Sequence, residues 1–107
     1  MNFIEFYDDE LIDFFINEPI FIGEYEGGEL IFYDTDKVGI KLCLTIDTYS
    51  KYINLSMSYN EISIFEGDIH KVDKIVKKSD IIYIYIENKK IIKISRINNL
   101  FRIFLEI

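Results

Sequence analysis

The sequence predicts an α+β fold, mainly β: a twisted, largely antiparallel sheet with one N-terminal helix packed on it. Three observations carry that expectation. Ile supplies about a fifth of the 107 residues, and Ala, the strongest helix former, is absent. Ile, Tyr and Phe together favour half-buried pleated surfaces. A helical period is clear only ahead of the single proline, Pro19, and from Ile20 onward the apolar period is two.

In chain order, Asp8 to Asn17 reads as an amphipathic helix, with Leu11, Phe14 and Phe15 at helical spacing and Ile12 and Ile16 beside them. Asp8 or Asp9 can cap its start, and acids in the first turn suit the helix dipole. Pro19 stops it and pushes Glu18 towards an extended shape. Phe3 to Tyr7 fits either an extension of this helix or a short strand. Ile20 to Tyr25 and Glu29 to Tyr33 flank Glu26-Gly27-Gly28, a hairpin turn signal.

The next strand places Val38, Ile40, Leu42, Leu44 and Ile46 on one face and Gly39, Lys41, Cys43, Thr45 and Asp47 on the other. Tyr52 to Tyr59 repeats the pattern, with Ile53, Leu55, Met57 and Tyr59 inward against Asn54, Ser56 and Ser58. Such alternation marks antiparallel strands with one wet face. Glu61 to Phe65 is a further short strand. Asp68 to Lys78 fits a helix through Ile69, Val72 and Val76 and a strand through Val72, Lys74 and Val76; strand or irregular structure is expected. Ile81 to Glu87 and Ile91 to Arg96 form a hairpin around Asn88 and Lys89. Phe101 to Ile107 closes the chain, with Phe101, Ile103, Leu105 and Ile107 on the buried side.

The length is that of a single domain, residues 1–107, and half of the residues are apolar, enough for a core. The one cysteine, Cys43, leaves no disulfide framework and no cysteine-rich zinc site. No apolar run nears the roughly 18 residues of a membrane span, and no signal-peptide pattern opens the chain. A soluble, cytoplasmic setting is the expectation, with no membrane partner. Abundant Ile, Lys, Asn, Tyr and Phe reflect AT-rich codons of a bacterial or phage genome.

Net charge is −7, and it is unevenly placed. Met1 to Asp36 holds eleven acidic residues and no Lys or Arg; Lys37 to Ile107 carries a balance of +4. Phosphate contacts need Lys and Arg, so the first third is not a nucleic-acid surface. A basic protein partner suits it, because complementary charge steers encounter. The plain alternative is that the acids keep a β-rich domain soluble.

Each candidate for chemistry has a simpler reading. His70, between Asp68 and Asp73, could act as a general base, yet a lone His in a charged turn is ordinarily solvated. Asp34-Thr35-Asp36 with Glu29 or Asp47 could hold Ca²⁺ or Mg²⁺, but lacks the spacing of an EF-hand and reads as a turn. Gly27-Gly28 lacks the Lys-Ser/Thr of a phosphate loop, so no cofactor is expected. Lys71, Lys74, Lys77, Lys78, Lys89, Lys90 and Lys93 cluster around Tyr83 and Tyr85; bases could stack there, although guarding of exposed strand edges is the simpler role. Cys43 needs no role beyond packing. Tyr25 and Tyr33, set among carboxylates, are candidate anchors for a basic partner, or rings packed on the helix.

The acidic run from Asp8 to Asp36, with the alternating strands Val38 to Tyr59 and Ile81 to Ile107, resembles the small immunity proteins of bacterial polymorphic toxin and contact-dependent growth inhibition systems. The resemblance spans the chain and implies a non-enzymatic cytoplasmic antitoxin that binds one cognate toxin domain and blocks its action. Such toxins are often nucleases with basic clefts. Contact residues come from the sequence itself and not from the resemblance: Glu24, Glu26, Glu29, Asp34 and Asp36, with Tyr25 and Tyr33 as anchors, in a one-to-one complex without nucleic acid or metal. The alternatives are an acidic DNA mimic or anti-defence inhibitor, and a small β domain that self-associates, for instance as a homodimer.

Overall fold

The computed structural model describes residues 2–23 and 28–106. Helix α1 (Asp8–Phe15) opens on Asp8, Asp9 and Glu10, three carboxylates at the positive end of its dipole. The residue at the cap is Tyr7, which makes no side-chain cap bond. Asp8 and Asp9 therefore act from inside the first turn and not as the expected cap. The helix ends before Asn17, because Ile16 turns left-handed at φ 58° with its N–H on the Ile12 carbonyl at 2.7 Å. Asn17 then takes up what the ended helix exposes: its Nδ2 donates to the carbonyls of Phe15 (3.3 Å) and Tyr33 (3.2 Å). Leu11, Phe14 and Phe15 face the core as their spacing requires.

Among the described residues nine strands follow, each antiparallel to its sheet neighbours. A five-stranded sheet runs in order β1 (Ile20–Ile22), β2 (Glu29–Thr35), β3 (Ile40–Asp47), β4 (Tyr52–Tyr59) and β5 (Ile62–Ile69). A four-stranded sheet runs β6 (Val72–Lys78), β7 (Ile81–Ile86), β8 (Lys89–Ile97) and β9 (Leu100–Leu105). The fold is mainly β with an N-terminal helix, as read, and its strands divide between two sheets. The ambiguous stretch 68–78 holds the end of β5, a two-residue corner at His70 and Lys71, and β6. The chain changes sheets at that corner. Residues 3–7 join neither α1 nor a full strand: the Glu5 N–H donates to the Asp73 carbonyl and the Ile75 N–H to the Glu5 carbonyl, both at 2.9 Å, which covers the edge of β6.

Turn chemistry sets the strand ends. Asn60 and Glu61, Glu87 and Asn88, and Asn98 and Asn99 all have positive φ, the pattern of two-residue type I′ turns. The middle pair displaces the expected Asn88-Lys89 turn by one residue. Val38, expected inward, is 54% exposed, because the turn from Asp36 carries it and Gly39, at φ +94°, resets the chain before Ile40. Tyr59 and Leu105 were also expected inward and are largely exposed, at strand ends that the facing sheet leaves uncovered. The end of the Ile20-to-Tyr25 strand, the turn at Glu26-Gly27 and Ile107 lie outside the described residues. Gly28 closes that hairpin so tightly that a Cβ there would sit 2.6 Å from the Ile22 carbonyl oxygen.

The inner faces share one core: Phe32, Leu42, Leu44, Ile46, Ile53 and Leu55 against Val72, Ile75, Ile82, Ile84, Ile92, Ile94 and Phe101. α1 closes one side, with the Phe15 ring 5.9 Å from Phe32 and 6.4 Å from Phe101. It is tied to β6 by Lys77, whose N–H donates to Glu10 Oε1 (3.1 Å) and whose ammonium pairs with Asp13 (2.8 Å).

Two charged residues, Arg96 and the buried Asp36, fasten the layers together. Arg96 pairs with Asp34 (2.6 Å), donates to the Phe14 carbonyl (3.0 Å) and to Asn99 Oδ1, and lies over the Phe101 ring. Asp36, only 6% exposed, accepts the N–H groups of Val38 and Ile40 on Oδ1 and of Phe101 on Oδ2. β2 runs two residues past Tyr33, which puts Asp34 on the inner side with Phe32, opposite Leu42. Asp34, partly exposed, and Asp36, buried, thus both act as clips within the chain. Asp36→Ala strands three N–H groups and should cost about 3 kcal/mol in urea denaturation. Ile16→Gly relieves a β-branched residue from the left-handed region and should add about 1 kcal/mol in the same assay.

Candidate functional site: the outer face of the five-stranded sheet

Alternation along β2, β3, β4 and β5 turns every second side chain away from the core, and the strand register gathers those side chains into rows. One row runs Glu29, Asp47, Tyr52; the next Ile31, Thr45, Asn54, Asp68; the third Tyr33, Cys43, Ser56, Glu66. Glu29 and Asp47 stand directly opposite one another, an arrangement that costs a sheet stability. Glu66 and Asp68 are exposed on the edge strand. The face is thus acidic, with Tyr33 and Tyr52 set among its carboxylates and Lys41 lying 5.1 Å over the Tyr33 ring at one end.

The polar groups on this face brace one another. The Tyr52 hydroxyl donates to Asp68 Oδ1 at 2.5 Å, and Asn54 Nδ2 donates to the same oxygen at 2.8 Å. The Tyr52 bond first, and the Asn54 bond next, hold the Asp68 carboxyl below its usual range. The reciprocal bond pushes the Tyr52 hydroxyl up from 10.0, with desolvation and the charges of Asp68 and Glu29 adding to it. At neutral pH the face therefore presents a charged Asp68 and a neutral, pre-oriented Tyr52.

Of the residues expected to contact a partner, Glu29 and Tyr33 lie on this face, Asp34 and Asp36 lie behind it, and Glu24, Tyr25 and Glu26 fall outside the described residues. Sequence reasoning missed Asp47, Tyr52, Glu66 and Asp68. Asp47 continues the outward set Cys43 and Thr45, and Glu66 and Asp68 are spaced by two. Only the register shows that they share one surface with Glu29.

The other candidates are accounted for individually. Asp73 is engaged by Lys51 Nζ and the Asn88 N–H, both at 2.8 Å, and these, Lys51 foremost, lower its pKa. With Asp68 held by Tyr52 and Asn54, neither carboxylate orients His70, whose ring instead packs 5.0 Å from Tyr52. Among the described residues no group of three His, Cys, Asp or Glu could hold a metal. Cys43 is a free thiol, half-buried between Tyr33 and Ser56. A cleft of about 340 Å³ opens between the N-terminal segment and β6, and its Glu10 already serves the Lys77 N–H. Of the lysines expected to guard strand edges, Lys74, Lys77 and Lys78 lie on β6, whose edge the N-terminal segment covers, and Lys89, Lys90 and Lys93 sit on β8, an interior strand.

No family model and no curated protein matches the sequence. Among solved structures, the chain is similar to one in a contact-dependent growth inhibition toxin–immunity protein complex from Klebsiella pneumoniae 342. The TM-score is 0.76 at 24% identity, over 97% of each chain. At that identity the likeness is one of fold. Among the described residues no helix is long and apolar enough to cross a membrane.

The Tyr52–Asp68 pair is open to direct titration. Asp68 has a folded pKa below its unfolded one. Its contribution to stability is therefore complete above the ordinary value of 3.8 and is lost as pH falls through the lowered one. Tyr52→Phe should move the Asp68 midpoint up towards 3.8 in an NMR carboxyl titration. An unmoved midpoint would show that the hydroxyl does not set it.

Proposed function

We propose that the chain is a non-enzymatic immunity protein that neutralises a cognate toxin domain by laying the acidic outer face of its five-stranded sheet against a basic surface. The observation that carries this reading is the shared fold, along nearly the whole of both chains, with a component of a toxin–immunity complex. The face itself supplies the chemistry. Glu29, Asp47, Glu66 and Asp68 provide long-range attraction for a cationic cleft, and complementary charge raises association rates and rejects wrong partners. Tyr33 and Tyr52 provide rings with few rotatable bonds and a polar tip, the type of residue that anchors interface centres.

A nuclease fits such an inhibitor, because its substrate cleft must be basic to hold the phosphate backbone. A carboxylate-lined sheet seated in that cleft excludes the substrate without any covalent step. One face covers one cleft, so the complex is one-to-one. It forms in the cytoplasm, where the toxin's target lies. Glu24, Tyr25 and Glu26, in the stretch joining β1 to β2, extend the same acidic segment and belong to the proposed contact set.

The test is co-expression with the toxin domain encoded beside this chain, followed by kinetics on the purified pair. The chain should abolish toxicity and be harmless alone; toxicity of the chain alone would make it the other half of such a pair. Glu29→Gln with Asp47→Asn and Asp68→Asn should slow association about tenfold and flatten its salt dependence. Tyr33→Ala should speed dissociation by about thirtyfold, the loss of an anchor worth ~2 kcal/mol. Unchanged rates in both variants would move the contact to another surface and leave the inhibitor class standing.

A further inference from the structure

The two sheets bury their inner faces against each other, so their outer faces look in opposite directions, and they carry opposite charge. On the four-stranded sheet the outward rows are Lys74, Tyr85, Lys90, then Val76, Tyr83, Lys93, Phe104, then Lys78, Ile81 and Arg102, with Ser95 buried between Ile81 and Arg102. That gives five cations, against which Glu106 supplies a carboxylate 3.5 Å from Lys93. Lys74 lies 4.6 Å over the Tyr85 ring and Lys90 lies 4.1 Å over Tyr83. These cation–π contacts hold the ammonium groups flat on the surface, so less side-chain freedom remains to be lost on binding. Lys90 and Lys93 are interior to the sheet, so edge protection does not account for them.

We infer that this basic, tyrosine-lined face is an interface for a second copy of the chain, which docks on it through its own acidic sheet face, head to tail. The occupant follows from charge and pitch. Strands in both faces repeat at about 4.8 Å, so rows of Lys and Arg on one copy can run beside rows of Asp and Glu on the next. A single molecule cannot make this pairing internally, because its core stands between the two faces. A single-stranded nucleic acid fits less well, since the ring faces on which bases would stack are already covered by Lys74 and Lys90. The contact joins two different patches, so each added copy leaves one acidic and one basic face open, and the assembly grows with concentration. This inference stands on the charge of the two faces and holds whether or not the acidic face also binds a toxin.

Sedimentation tests it in ~0.1 M salt, where the Debye length is about 10 Å and repulsion between net negative copies is screened before close pairs are. The apparent mass of the wild type should climb with concentration past that of a dimer and fall to the monomer in ~1 M salt. An acidic-face variant, Glu29→Gln with Glu66→Gln, and a basic-face variant, Lys90→Gln with Lys93→Gln, should each be monomeric alone, with unchanged circular dichroism. Mixed in equal amounts, they should form a dimer that grows no further, because each supplies the face the other lacks. A wild type that stays monomeric at every concentration overturns the inference. So does a mixture that stays monomeric while the wild type associates, which would indicate a symmetric contact elsewhere. A labelled single-stranded oligonucleotide bound by a monomeric wild type and lost in the basic-face variant would assign that face to nucleic acid instead.

Discussion

Two meanders each carry one face of Ile and Leu, and neither face can be left in water. Burying one against the other is the constraint from which the rest of the molecule follows. It fixes which side chain of every strand is inside, and it leaves an open side for a helix with Phe14 and Phe15 to fill. The few polar groups drawn into this region are there because they fasten layers together. Arg96 touches α1, β2 and β9 at once, and Asp36 holds both the β2–β3 turn and the start of β9. Each has its hydrogen-bonding capacity matched from within, and no described buried side-chain polar atom lacks a partner.

The same constraint shapes the surface. Once alternation assigns half of each strand to the core, the other half becomes one of two flat faces, and the charges on it add instead of scattering. Acids from β2, β3 and β5 meet on one sheet, and Lys and Arg from β6, β8 and β9 meet on the other. The net charge of −7 hides this division, because a sum over the chain says nothing about direction. A directional field is what steers a partner, so the two faces have to be considered separately.

Local pattern made much of this legible in the sequence. The helix before Pro19, the strands with inward Leu42, Leu44, Ile53 and Leu55, and the hairpin of β7 and β8 all follow from spacing and turn residues. What stayed hidden depended on long-range geometry. Asp34 and Asp36 look like exposed turn acids until β2 is seen to run to Thr35, with Arg96 waiting across the core. Asp47, Glu66 and Asp68 are far apart in sequence and meet Glu29 only through the register of four strands. Division into two sheets was illegible too, because the corner at His70 and Lys71 is as short as the loops that close hairpins. Ile16, a β-branched residue at positive φ, ends the helix where propensity would have it continue.

That corner also bears on how the molecule is reached from the unfolded chain. Every sheet neighbour in both meanders is the next strand in sequence, so each half can zip up through hairpins that close short loops. The slow, entropically costly step is then the docking of one finished meander on the other. Its fasteners come from the start of the chain: the Glu5 bridge to β6, the helix, and the Phe14 carbonyl that Arg96 grips. During synthesis the acidic sheet is complete before the strands that cover its apolar side have left the ribosome. The first third of the chain thus waits, with Phe14, Phe15 and Phe32 in hand, for the last third to arrive.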